Sequence, residues 1–134
     1  MPNVFEDEFT GRLDLSSEET AMFLYELDED ASLPYHYEYV EEWLLVLDGA
    51  VVVRVPDGEV DLDRGALMRF PPGPGGAHQI LNRGGAKARL LLFSTAALPS
   101  IGVYPDTNAI GIWPDGDTEL YFKRDDAISR EDVV

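Results

Sequence analysis

The chain has 134 residues, with 26 Asp and Glu against 10 Lys and Arg, a formal charge of −16, and no cysteine. That length suits one domain, and 45% hydrophobic residues suffice for a core that buries about two thirds of the unfolded surface without covalent staples. These figures exclude a disulfide scaffold and a thiolate metal site, and they disfavour a hold on nucleic acid or anionic lipid, which rests on clustered Lys and Arg.

In chain order, the N-terminal segment carries Glu6, Asp7 and Glu8 where a secretory or organellar signal needs positive charge, and no apolar run approaches the about 18 residues of a membrane span. A cytoplasmic protein, with neither a nucleic acid nor a membrane as partner, is expected. Short apolar runs bounded by Gly, Pro, Asn and Asp follow one another, the pattern of an all-β chain. Strands are predicted at 23–26, at 41–47 and 50–55 around Asp48-Gly49, and near Val60 and Leu62 after Asp57-Gly58. Asp-Gly supplies the positive φ of tight hairpins, so both pairs read as hairpin turns. Further strands are predicted at 66–70, 78–81 and 88–93, with the Pro- and Gly-rich stretch 71–76 as an irregular loop. Beyond Pro99, strands at 110–113 and 118–123 flank a Pro114-Asp115-Gly116 turn, a terminal hairpin within 105–134. About thirty residues cannot form an independent core, so 1–134 reads as a single domain. Its sheet edges need closure into a barrel or pairing with a second protomer, which makes a homodimer the expected state.

Charge is uneven along this pattern. Residues 65–105 carry no acid and four bases, Arg69, Arg83, Lys87 and Arg89. The plainer reading is that this stretch holds the most buried strands, where carboxylates are rarely tolerated. The functional reading is that an arginine anchors an anionic ligand in a cavity.

The chain's two histidines, His36 and His78, stand beside a carboxylate cluster and beside the 71–76 loop. From Tyr35 to Tyr39 the alternation puts Tyr35, Tyr37 and Tyr39 on one face and His36 with Glu38 on the other, and a regular continuation would add Glu42 to the second face. The tyrosine stripe suits packing against another sheet or subunit. Asn82, at a strand end, suits a turn cap.

The order His36, one residue, Glu38, three residues, Glu42, six residues, Gly49 resembles the first motif of the cupin superfamily, with Glu38 where a second His is usual. Gly65, five residues, Pro71, one residue, Gly73, four residues, His78, three residues, Asn82 resembles the second, where the usual gap of two before the His is here four. The resemblance covers about 30–95 and is to small, largely uncharacterised bacterial cupins. It implies an all-β cupin-type jelly-roll barrel with the C-terminal hairpin as an extension, commonly dimeric, with a metal near the middle of the barrel.

Carried over by position, His36, Glu42 and His78 are the implied metal ligands and Glu38 takes the fourth position with a different donor. The Gly usual six residues before the first His is Asp30, and the segment between Glu38 and Glu42 is one residue short, which makes Glu41 an alternative to Glu42. Two imidazoles and a carboxylate with open positions suit non-haem iron; with Glu38 added, two neutral and two anionic donors neutralise a divalent ion such as Mn, Fe, Ni or Zn. Such binding weakens as the pH falls through about 6.5, because imidazole must be neutral to ligate.

Two functions follow from this reading. One is an enzyme of oxygenase, isomerase or lyase type, whose metal acts on a small polar or anionic molecule held by Arg54, Arg69 or Arg89. The other is a metal-free, degenerate cupin that serves as a small-molecule binding, sensor or accessory module.

Overall fold

The computed structural model describes residues 1–133. These form β1 (Arg12–Asp14), β2 (Thr20–Leu27), β3 (Tyr37–Glu38), β4 (Glu42–Asp48), β5 (Ala50–Val55), β6 (Gly58–Asp63), β7 (Leu67–Phe70), β8 (Gln79–Leu81), β9 (Ala88–Thr95), β10 (Ser100–Tyr104), β11 (Ala109–Trp113) and β12 (Leu120–Lys123). The only helical pieces among the described residues are short 3₁₀ turns, and none is long and apolar enough to cross a membrane.

One sheet runs β1-β2-β9-β4-β7. Facing it, β6-β5-β8 continues through isolated bridges, Ser32 with Leu81 and His36 with His78, into β3-β10-β11-β12. Alternation along the strands fills the space between: Leu44 and Val46 of β4, Val51 and Val53 of β5, Ile80 of β8 and Ala88, Leu90 and Leu92 of β9 form one buried cluster. Leu44, Val46, Val53 and Leu90 are fully buried, and truncating such a leucine to alanine costs about 2–5 kcal/mol. The result is an all-β jelly-roll barrel.

Several local expectations change once the strands are paired. Asp57-Gly58 does close a hairpin, since Val55 pairs with Gly58. Asp48-Gly49 does not: β4 pairs with β7 and β9, whereas β5 pairs with β6 and β8. Gly49 is instead the corner where the chain passes from one sheet to the other, at φ +78, so close to the neighbouring backbone that a Cβ would stand 2.9 Å from the Lys87 carbonyl oxygen. Asp30, where the family pattern has glycine, adopts φ 61, a left-handed conformation that Asp tolerates better than most residues. The two extra residues before His78 are taken up by the 3₁₀ turn Pro74–Gly76.

Asn82 is a buried clasp: its amide donates to the Leu27 and Ala86 carbonyls, and its oxygen accepts from the Gly84 N–H. The terminal hairpin is present as β11 and β12. It is carried by a strand that composition did not reveal, β10, which pairs with both β11 and β3.

Candidate metal centre

The centre is assembled by backbone pairing. His36 and His78 exchange both main-chain hydrogen bonds, His36 N to His78 O at 3.1 Å and His78 N to His36 O at 2.9 Å. Directly opposed residues of an antiparallel pair project to the same face, and the two rings lie 4.8 Å apart. Glu42 arrives differently from the expected continuation of the His36–Glu38 strand. The chain bends at Tyr39 and Val40, crosses to the other sheet and begins β4 at Glu42, so the carboxylate meets the histidines from across the barrel. The donor atoms of His36, Glu42 and His78 all lie within 4.8 Å of one another.

Each imidazole is oriented by a carbonyl two residues upstream. His36 Nδ1 lies 3.0 Å from the Pro34 oxygen, and His78 Nδ1 lies 2.8 Å from the Gly76 oxygen. A carbonyl only accepts, so Nδ1 carries the hydrogen in both rings and Nε2 is left to the centre. Gly76 is required for this: a Cβ there would fall 1.8 Å from the Pro71 carbonyl oxygen. Phe70 clamps His78 from one side, its ring stacked at 3.6 Å and 9°. Tyr104 stacks on His36 at 5.8 Å.

His78 Nε2 faces Glu42 Oε1 at 3.0 Å. With the hydrogen on Nδ1 these are two acceptors face to face, an arrangement that calls for a cation between them, a proton or a metal ion. Burial, and after it the neighbouring His78, hold the His36 imidazole below its ordinary range and so in the neutral, ligating form. Two Nε2 atoms and a carboxylate oxygen, with both outer nitrogens tied to backbone, form a donor set that fits a divalent metal.

Glu38 lines the small cavity at the centre together with Val40, Glu42, Phe70 and His78, but stands outside the three-residue donor cluster. Burial, then the charge of Glu42, push its carboxyl up to about 7. Glu41 is directed away from the centre. It accepts from Trp43 Nε1 at 2.8 Å and pairs with Arg69, and it is Glu42 that joins the histidines in the donor cluster.

The three arginines considered as anchors also lie elsewhere. Arg54 forms a two-pronged pair with Asp106 at 2.6 and 3.1 Å and covers the Tyr35 ring. Arg69 is held by Glu41. Arg89 bonds Glu26 and the carbonyls of Val4 and Asp7, at the far end of the five-stranded sheet. Among the described residues, no Lys or Arg lines the cavity at the centre.

Sequence reasoning missed Tyr104, whose phenol is pushed up to about 12 by burial and then by Tyr121 and Glu38. Its signal was its place in the block Tyr104-Pro105-Asp106-Thr107, which resembles that of small bacterial cupins but carries no ligand of either motif.

A cupin domain model matches residues 23–94, more than half of the chain. No curated protein sequence matches. Among solved structures, a cupin-superfamily sugar phosphate isomerase from Silicibacter pomeroyi is similar at TM-score 0.79 and 24% identity, over 90% of this chain and 80% of that one. A putative sugar phosphate isomerase from Acidithiobacillus ferrooxidans is similar at TM-score 0.77 and 18% identity, over 88% and 80%. A cupin superfamily protein from Desulfitobacterium hafniense is similar at TM-score 0.62 and 17% identity, over 72% and 90%. At these identities the structural likeness speaks for the fold, and together with the domain match it makes this chain a member of the cupin domain family.

Proposed function

We propose that the chain is a mononuclear metal-dependent cupin enzyme acting by acid–base chemistry on a small polar hydroxy-carbonyl compound. His36, Glu42 and His78 would hold a divalent ion, Mn, Fe, Ni or Zn. The observation that carries the reading is the donor cluster itself: Nε2 of His78 opposes a Glu42 oxygen at 3.0 Å while both Nδ1 atoms are committed to backbone carbonyls.

The ion, when bound, supplies Lewis-acid polarisation of a carbonyl or hydroxyl. Glu38 handles the proton. A carboxyl held near pH 7 by burial and by Glu42 is matched to give or take a proton at neutral pH, and a nearby cation biases it toward the carboxylate, ready to accept one. Tyr104, held neutral and stacked on His36, would donate a hydrogen bond to the substrate. An isomerase-type reaction suits this pairing of base and polarising ion, and the structural likeness to proteins described as sugar phosphate isomerases supports it.

Elemental analysis of protein purified without chelator or His-tag, followed by reconstitution with Mn, Fe, Ni and Zn, tests the reading. Near-stoichiometric metal that is lost in His36→Ala is expected. Protein that resists reconstitution would overturn it and favour the metal-free binding module.

The same proposal includes a homodimer. The face of β10-β11-β12 turned away from the centre bears Ile101, Ile112, Leu120 and Phe122, and three of these are at least 40% exposed. None of the residues in these three strands is acidic, so a second copy of a chain of charge −16 meets least repulsion there. Sedimentation of Phe122→Glu should show monomer where the parent protein shows dimer.

A further inference from the structure

The register of the sheet beside the centre places a second set of groups on the same face as the metal ligands. Glu38 pairs with Gly102, Gly102 with Gly111, and Gly111 with Tyr121. Directly opposed residues share a face, so this row runs from Glu38 outward across β10 and β11 to the edge strand β12. Two of its four positions are glycine. The neighbouring rows add Tyr104, opposite Ala109 and Lys123, and Trp113, opposite Ser100.

Aromatic side chains pack over the glycines. A Cβ on Gly111 would come within 2.7 Å of the Trp113 ring and 2.9 Å of the Tyr121 ring, and one on Gly102 within 3.2 Å of Trp113. The glycines therefore let Trp113 lie along the sheet rather than stand away from it. Tyr121 packs edge-on against Trp113 at 5.7 Å and is 55% exposed. Glu119 fixes the pair, accepting from Trp113 Nε1 at 3.1 Å and from the Tyr121 hydroxyl at 3.4 Å. Adjacent strands are about 4.8 Å apart, so Gly111 is roughly 10 Å from the Glu38 backbone, within the reach of one sugar ring and its substituents.

We propose that Trp113, Tyr121 and Tyr104 form a platform that binds an unphosphorylated sugar ring and presents its carbonyl end to the metal centre. This deepens the function proposed above and rests on it for the reaction, but not for the binding. The C–H-bearing face of a sugar ring is apolar and flat enough to stack on an indole, whereas its rim of hydroxyls needs acceptors. Glu38 and Glu119 supply carboxylate oxygens at the two ends of the platform. These rows offer no uncommitted Lys or Arg to a phosphate ester. Both ends are acidic, and the one cation in these rows, Lys123, donates to the Thr107 carbonyl at 2.7 Å.

Saturation-transfer NMR on the metal-reconstituted protein, with unphosphorylated pentoses and hexoses and their monophosphate esters as probes, tests the platform. Transfer to ring C–H protons of at least one neutral sugar is expected, with its monophosphate bound more weakly. Trp113→Ala should weaken that binding about tenfold and Trp113→Phe should restore part of it, with metal content unchanged. Tyr121→Ala, on an exposed edge strand, should weaken it less and guards against misfolding of the tryptophan variant. If metal-loaded protein binds no neutral sugar, binds the esters more tightly, or binds sugars equally with and without Trp113, the platform is wrong. If sugars bind through Trp113 to a protein that takes up no metal, the platform stands and the metal-dependent reading falls.

Discussion

At one end of β4, Glu42 opens onto a cavity of about 10 Å³ shared with Glu38 and His78; at the other, Leu47 and Asp48 border one of about 510 Å³ lined also by Glu26, Arg64, Lys87 and Arg89. The two are roughly 20 Å apart along the strand. The larger is the size of an ordinary ligand pocket, yet much of its charge is spent. Arg89 is bonded to Glu26 at 2.9 Å and to the carbonyls of Val4 and Asp7, and Lys87 reaches Glu26 at 3.3 Å. Those arginine contacts tie the N-terminal segment to the barrel. The smaller cavity has room for about one water-sized occupant, and its two carboxylates, Glu38 and Glu42, face His78 with no Lys or Arg beside them among the described residues. Volume marks where a terminal segment bridges the barrel end, and uncompensated chemistry marks the site.

Substitutions at the two ends should separate these roles. The largest effect is expected from His78→Ala, which should abolish metal uptake while the far-ultraviolet circular dichroism stays that of the parent; retained near-stoichiometric binding would erase the contrast between the ends. Next, Arg89→Ala should destabilise the protein by about 2 kcal/mol, because it removes three hydrogen bonds and leaves Glu26 only the longer contact with Lys87, with no change in metal affinity. Denaturant unfolding and metal titration on the same sample check both halves.

Glu38→Gln should act in the opposite direction on the metal-free protein. The folded Glu38 carboxyl titrates near 7 against an ordinary value near 4.5, so between those values the folded state keeps a proton that the unfolded state has lost. Stability therefore falls as the pH rises through that window. Gln removes the penalty: the full shift amounts to about 3 kcal/mol at pH 8, which the partial solvent exposure of Glu38 screens to about 2 kcal/mol, against almost nothing at pH 4. Equal effects at both pH values would show that Glu38 ionises normally. Arg64→Ala, an exposed change at the large cavity, should shift stability by less than about 0.5 kcal/mol and leave metal affinity unaltered.

How far the molecule could be read in advance differs between strands and site. Strands with strong alternation, such as β4, β5 and β9, were legible because burial of Leu44, Val46, Val51, Val53, Leu90 and Leu92 imposes a period of two. β10 was not, since Pro99, Gly102 and Pro105 break its pattern, and its reason for existing lies in its partners β3 and β11. The two Asp-Gly pairs were indistinguishable locally, and only the crossing between sheets at Gly49 separates a corner from a hairpin. At the site, His36, Glu42 and His78 could be named from motif spacing, while the choice of Glu42 over Glu41 awaited the bend at Tyr39 and Val40 that sends one carboxylate inward and the other to Arg69. The arginines showed the limit most plainly: a base-rich stretch announces cations but not the acids that will face them.

Taken alone, the sequence determined an all-β chain without thiol chemistry, a strong negative charge and the residue types available for a nitrogen- and oxygen-donor centre, because composition and short-range periodicity act through neighbours along the chain. The tertiary structure decided which donors converge, which nitrogen each imidazole presents, where the carboxyl of Glu38 titrates and what lies across the sheet from it. Those are properties of burial and of contacts between residues far apart in the chain, such as His36 and His78, or Glu38 and Gly102, and only the closed barrel brings them together.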